Sequence, residues 1–139
     1  MVVIVCGSRF WKARGPIQRE LEARKSSIKL VIDGVAPGAD TIGNAVAKSL
    51  GLDFKRIPAK WHIYGKPAGP IRNSEMLKVL LAHEDTDKLV LAFHEDIRSS
   101  KGTKHMVEIA EKAGVPCLVF GRVLKKACES SSIGGAFDR

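Results

Sequence analysis

Short apolar runs alternate along this chain with stretches whose apolar positions recur every three or four residues. Val2–Cys6, Lys29–Ile32, Lys88–Phe93 and Pro116–Phe120 are rich in Val, Ile and Leu and read as strands, mostly buried on both faces; Asp53–Ile57, closed by Pro58, reads as a further strand. The intervening pattern is helical. Pro16 to Lys25 places Ile17 and Leu21 one turn apart, with Pro16 suited to a first turn. Ala39 to Leu50 sets Ile42, Ala45, Val46 and Leu50 on one face, with Gly51 as the stop. Ile71 to Ala82 carries Met76, Leu77, Leu80 and Leu81. The stretch after Gly102-Thr103 turns Met106, Val107, Ala110 and Ala113 inward and ends at Gly114. Residues 59–70 show few helix or strand signals, and a connection this long in a compact domain is more often functional than not. From 121 to 139, Ser130-Ser131-Ser132 and Gly134-Gly135 predict a flexible tail beyond a single domain at 1–120.

Strand–helix alternation of this kind specifies an α/β protein. The expectation is a Rossmann-like doubly wound sheet of about five parallel strands with helices on both faces. Ligands bind such sheets outside the carboxyl ends of the strands, where the strand order reverses. The 139 residues, 45% of them hydrophobic, suit one soluble domain. Charged residues interrupt every apolar run well before about 18 residues, and the opening run has no charged leader, so a cytoplasmic protein with no membrane partner is expected. A net charge of +8 suits anionic partners without choosing among nucleotides, nucleic acid and plain solubility. Cys6, Cys117 and Cys128 have no paired spacing. Cys6 and Cys117 read as small core residues, the rival reading being a thiol nucleophile at Cys6.

Candidate chemistry sits where strands hand over to helices. Gly7-Ser8-Arg9 follows the first strand. Gly34-Val35-Ala36-Pro37-Gly38-Ala39-Asp40 follows the second, and Ser100-Lys101-Gly102-Thr103 the fourth. The first amides of a helix are unpaired and its dipole is positive there, so the three turns together predict a rim for a phosphorylated ligand. Plainer readings stand beside this one: Ser100 or Thr103 as a cap, Asp40 as a first-turn carboxylate, Arg9 as a solvated loop residue. Arg72 is expected where a helix begins, where a cation opposes the dipole, which points to a ligand or carboxylate partner. Asn73 and Glu75 share its turn. Trp61 and Tyr64 either pack as core or lid, or one of them stacks on a base while Lys60 or Lys66 meets phosphate. His62, His83, His94 and His105 lack metal spacing, and only His62 falls in the expected site loop; the others read as solvated surface. No metal and no cofactor is expected: there is no P-loop and no Ser-His-Asp order.

Taken with Lys60-Trp61-x-x-Tyr64-Gly65-Lys66-x-Ala68-Gly69-Pro70-x-Arg72-Asn73-x-x-Met76, these turns resemble the YspA/YpsA-related branch of the SLOG superfamily. That superfamily joins the DNA-processing protein DprA (SMF) to the LOG phosphoribohydrolases, and the resemblance covers about residues 2–120. It implies a Rossmann-like fold, a pocket for nucleotide or ADP-ribose-type ligands, and a homodimer. LOG enzymes carry Pro-Gly-Gly-x-Gly-Thr-x-x-Glu; here Gly102-Thr103 is kept, but Met106 stands at the glutamate position. Three functions follow as expectations. The first is a sensor or sequestering protein holding a phosphoribosyl ligand on Gly7, Ser8, Arg9, Gly34, Ala36, Gly38, Ala39, Asp40, Lys60, Trp61, Tyr64, Arg72, Asn73, Ser100, Gly102 and Thr103. The second is a hydrolase of the N-glycosidic or phosphate ester bond, with Arg72 and Glu75 catalytic. The third is DprA-like binding of single-stranded DNA, ranked below the others because few aromatics are interleaved with the basic residues.

Overall fold

The computed structural model describes residues 1–121; apart from Gly121, the tail expected at 121–139 lies outside the described residues. Five strands, β1 (Val2–Gly7), β2 (Leu30–Asp33), β3 (Phe54–Arg56), β4 (Lys88–Phe93) and β5 (Cys117–Phe120), form one sheet. All pairings are parallel, in the order β3-β2-β1-β4-β5. The helices are α1 (Arg14–Ala23), α2 (Ala39–Ser49), α3 (Trp61–Tyr64), α4 (Ala68–Ala82) and α5 (Gly102–Lys112). No helix among the described residues is long and apolar enough to cross a membrane.

Alternation along each strand sorts the core into two layers. Val3, Val5, Val31, Leu89, Leu91 and Phe93 pack with Ile17 and Leu21 of α1 and Val46 and Ala47 of α2. Val2, Ile4, Cys6, Ile32, Val90 and Ala92 pack on the other side with Met76 and Leu80 of α4 and Met106, Val107 and Ala110 of α5. The chain winds from β1 outward to β3, then returns to lay β4 against the free edge of β1. The loops leaving β1 and β4 therefore diverge, and a crevice opens between them.

Four local expectations change. Helix α2 buries Ala39, Gly43, Asn44, Val46 and Ala47, while Ala45 faces solvent. A Cβ on Gly43 would lie 2.6 Å from Val5 Cγ1, so small residues set the inward face by letting α2 lie close on β1. Ala113 is exposed, as is Leu81; both fall at the C-terminal ends of their helices. Helix α4 begins at Ala68 rather than Ile71, because a first turn needs no amide hydrogen from Pro70. Within the segment expected to be featureless, α3 makes one turn and stops at Gly65, whose φ is 65°.

The edge strand β3 is shorter than the Asp53–Ile57 expected, pairs on one side, and is held also by charge. Asp33, fully buried at the end of β2, accepts from Arg56 Nη2 at 3.0 Å and Nε at 3.1 Å, and from the Val35 amide at 2.9 Å. Arg56→Ala leaves that carboxylate without its cation. Because Arg56 is partly exposed, the expected loss is about 2 kcal/mol, below the 3–5 of a fully buried pair. Urea denaturation checks it, and a loss under about 0.5 kcal/mol would show that water replaces the guanidinium.

Candidate functional site

The crevice at the β1/β4 reversal is a hollow of about 840 Å³. Its rim is built from all three turns and from the segment leading into α4. Gly7, Ser8 and Arg9 line it, as do Gly34, Ala36, Asp40, Ser100, Gly102 and Thr103, and Trp61, Arg72 and Asn73 close the remaining side. Cys6, Met76 and Met106 contribute apolar surface from β1, α4 and α5. Met106, 1% exposed, presents a thioether there and no carboxylate.

Not every expected residue reaches the hollow. Gly38, Ala39, Lys60, Tyr64 and Glu75 do not line it. Gly38 and Ala39 serve the join between turns instead: the Ala39 amide donates to the Ser8 carbonyl at 3.1 Å, and a Cβ on Gly38 would lie 2.2 Å from that same oxygen. Glu75 does not line the hollow, although it stands one turn past Arg72 on the same side of α4; Asn73, Met76 and Leu80 carry the buried face of that helix. Lys66 lines the hollow and Lys60 does not.

The first two turns are largely self-satisfied. Ser8 donates its amide to the Phe93 carbonyl at 2.8 Å, and its Oγ accepts from the Phe10 amide at 3.0 Å. The Gly34 amide donates to Asp40 Oδ2 at 2.7 Å. Val35, the one described non-glycine residue with positive φ (65°), is held there by its bond to Asp33; a β-branched residue in that region costs about 1–2 kcal/mol. Burial pushes the Asp40 carboxyl up to about 7, against the Gly34 amide and the nearby Arg72 charge, which favour its ionised form. At the third turn Ser100 Oγ accepts from the Thr103 amide at 3.0 Å and caps α5.

Arg72 is a second-turn residue of α4, so the helix dipole does not explain it. Its place comes from bonds: Nη1 donates to the Gly34 carbonyl at 2.6 Å and Nε to Asn73 Oδ1 at 3.0 Å. A Cβ on Gly34 would sit 2.7 Å from Arg72 Nη1 and 2.8 Å from Asp40 Oδ2, so only glycine leaves room for both side chains. Asn73 Nδ2 donates in turn to the Gly102 carbonyl at 3.2 Å and contacts His105 Nδ1 at 3.1 Å. One buried amide thus ties Arg72 to the start of α5.

Two histidines read as surface residues line the hollow, His94 and His105. His94 Nδ1 accepts from the Asp96 amide at 2.9 Å, and an amide nitrogen can only donate to His105 Nδ1. A neutral ring that accepts at Nδ1 carries its hydrogen on Nε2. The signal for His94 was its place directly after β4, the counterpart of Ser8 after β1. For His105 there was none, since its role depends on where α4 brings Asn73. The Cys6 thiol is pushed well up by burial first and by the Asp40 charge next, the reverse of what a thiolate nucleophile needs.

No family model and no solved structure matches the chain. It is similar to the Gene 61 protein of Mycobacterium phage D29, with 37% identity over 127 residues that cover 86% of this chain and 95% of that protein. At that identity, and over nearly the full length of the relative, the chain belongs to the family of the phage Gene 61 protein.

Proposed function

We propose that the hollow binds a nucleotide or nucleotide-derived ligand of phosphoribosyl type, and that the protein acts as a sensor or sequestering protein for it. The observation that carries this reading is the composition of the rim. Arg9, Lys66, Arg72 and Lys101 line one crevice, none with a carboxylate within salt-bridge distance among the described residues. Beside them the Trp61 indole is 55% exposed, its edge lying over the first turn of α4 near Gly69. Cations without a carboxylate partner suit phosphate, and a solvent-facing indole next to them suits a base. A hydrolase using Arg72 and Glu75 is the weaker reading, because Glu75 lies outside the hollow.

Isothermal titration with AMP, ADP-ribose and cyclic ADP-ribose isomers tests the proposal. Micromolar heat with at least one of them is the expected result, and silence across the panel refutes it. Trp61→Ala should lower that affinity about tenfold, the low end of the usual base–aromatic contribution. Since the side chain is mostly exposed, its melting temperature should stay within about 2 °C of the parent protein. Equal affinity in the variant would remove the base from Trp61.

A further inference from the structure

Among the described residues, Asp40 is the single carboxylate lining a hollow that four cations also line. A ligand that suits this arrangement is anionic overall and offers hydrogen-bond donors at one end. Resting on the nucleotide reading above, we infer that Asp40 is the ribose-reading group: its carboxylate accepts hydrogens from the ribose hydroxyls, so the ligand class is ribonucleotides with unsubstituted 2′- and 3′-hydroxyls, their phosphate lying toward Arg9 and Lys101.

The hydrogen bonds at the second turn support this. Asp33, at the end of β2 where Rossmann sheets commonly place a ribose-binding acid, is fully buried and committed to Arg56 and Val35, and it does not line the hollow. Asp40 is 4% exposed; one short bond, from the Gly34 amide, occupies Oδ2, and the Ala36 amide supports the carboxylate more weakly. An ionised carboxylate offers about four acceptor sites, so capacity remains on the side facing the hollow. Arg72 is close enough to attract it, but its Nε and Nη1 are committed to Asn73 and to the Gly34 carbonyl. Phosphate is a poor fit here, since the Ala39 amide is used by Ser8 and the Gly34 amide by Asp40 itself. At the other end of the hollow Lys101 flanks Gly102 at the start of α5, and no carboxylate lines that side.

Hydroxyl donors favour the ionised carboxylate, whereas a phosphate against Asp40 would favour the protonated one. The charged and titratable groups facing Asp40 are Asp33 from β2, Arg72 from α4 and the Cys6 thiol from β1, with His94 and His105 across the hollow. A ligand phosphate also titrates near pH 6, so the pH dependence is read as the difference between the parent protein and Asp40→Asn.

The experiment is calorimetric titration of the full chain with AMP, 2′-deoxy-AMP, 3′-deoxy-AMP and purine riboside monophosphate, repeated with Asp40→Asn. Expected for the parent protein is an affinity about ten- to a hundredfold lower for a deoxy analogue than for AMP, the usual effect of losing a hydrogen bond to a charged group. In Asp40→Asn that difference should shrink to within about threefold. From pH 6 to 8 the AMP affinity of the parent should rise relative to the variant. If AMP and both deoxy analogues bind equally, Asp40 does not read ribose and the nucleotide reading survives. A loss confined to the purine analogue assigns the base amine to Asp40 and overturns the inference, as does discrimination that persists in Asp40→Asn. The analogue series needs no variant to fold. Silence with all four ligands defeats both the inference and the reading beneath it.

Discussion

Gly7→Ala should lower stability by at least about 4 kcal/mol, enough to unfold much of the protein at room temperature. Gly7 ends β1 opposite Phe93 of β4, at the reversal point of the sheet. Its φ of 155° belongs to a region that residues with a Cβ seldom occupy, at about 1–3 kcal/mol. An added Cβ would lie 2.0 Å from the Phe93 carbonyl oxygen and 2.8 Å from the Ala39 Cβ. Neither neighbour can yield cheaply. The Phe93 oxygen accepts the Ser8 amide, and Ala39 is fully buried beneath the turn. Strain, overpacking of about 1–3 kcal/mol and loss of the Ser8 hydrogen bond act together. Gly15→Ala is the control, because nothing lies within 4 Å of its Cβ position and it stands inside α1; it should be neutral or stabilising by about 0.5 kcal/mol. Guanidinium denaturation of both variants checks the pair. A Gly7→Ala midpoint close to that of the parent would mean that the strands separate at little cost.

Asp40→Asn should stabilise the ligand-free protein most at pH 8, by less than half as much at about pH 5, and hardly at all near pH 3.5. Burial raises the Asp40 carboxyl from 3.8 to about 7 in the fold. Between those two values the folded chain keeps a proton that the unfolded chain has released. Stability therefore falls as pH rises through the interval and levels off above about 7. A rise of that size corresponds to at most about 4 kcal/mol, and relaxation of the site will reduce it to about 2–3. Asparagine retains the oxygen that accepts from the Gly34 amide while removing the charge. For a chain of this size the gain is roughly 10 °C in melting temperature at pH 8. Calorimetric scans of both proteins from about pH 3.5 to 8 should converge at the acid end and part at the alkaline end. Parallel curves would show that Asp40 is solvated as an ordinary surface acid. A buried charge that weakens the fold yet faces a hollow has the character of a functional group rather than a structural one.

Most of the architecture is legible in the local pattern. The run Val2–Cys6 is apolar at every position, which only a strand covered on both faces requires, and β1 lies at the centre of the sheet. Gly51 and Gly114 stand just past their helices with positive φ, as stops written in the sequence should. The boundaries that moved did so for local reasons that pattern alone underweights. Pro70 reads as a breaker but sits harmlessly in a first turn, and Ala39, Gly43 and Ala47 read as weakly apolar but define the buried side of α2.

The site was legible as an edge, less so as a set of side chains. That the turns after β1, β2 and β4 share one rim follows from strand–helix alternation, because every parallel strand must end on the same side of the sheet. Which atoms face the hollow does not follow. The Ala39 amide is lost to Ser8, Glu75 does not line the hollow although Arg72 on the same side of α4 does, and His105 lines it from α5, where it meets Asn73. Asp40 is a first-turn carboxylate in the sequence and a buried, half-titrated acid beside Arg72 in the fold. Periodicity and turn chemistry are local, so the chain alone determines its strands, its helices and the edge where the three turns gather. Burial, shared hydrogen bonds and the field at a carboxyl group are sums over segments distant in sequence, and tertiary contact alone decides them.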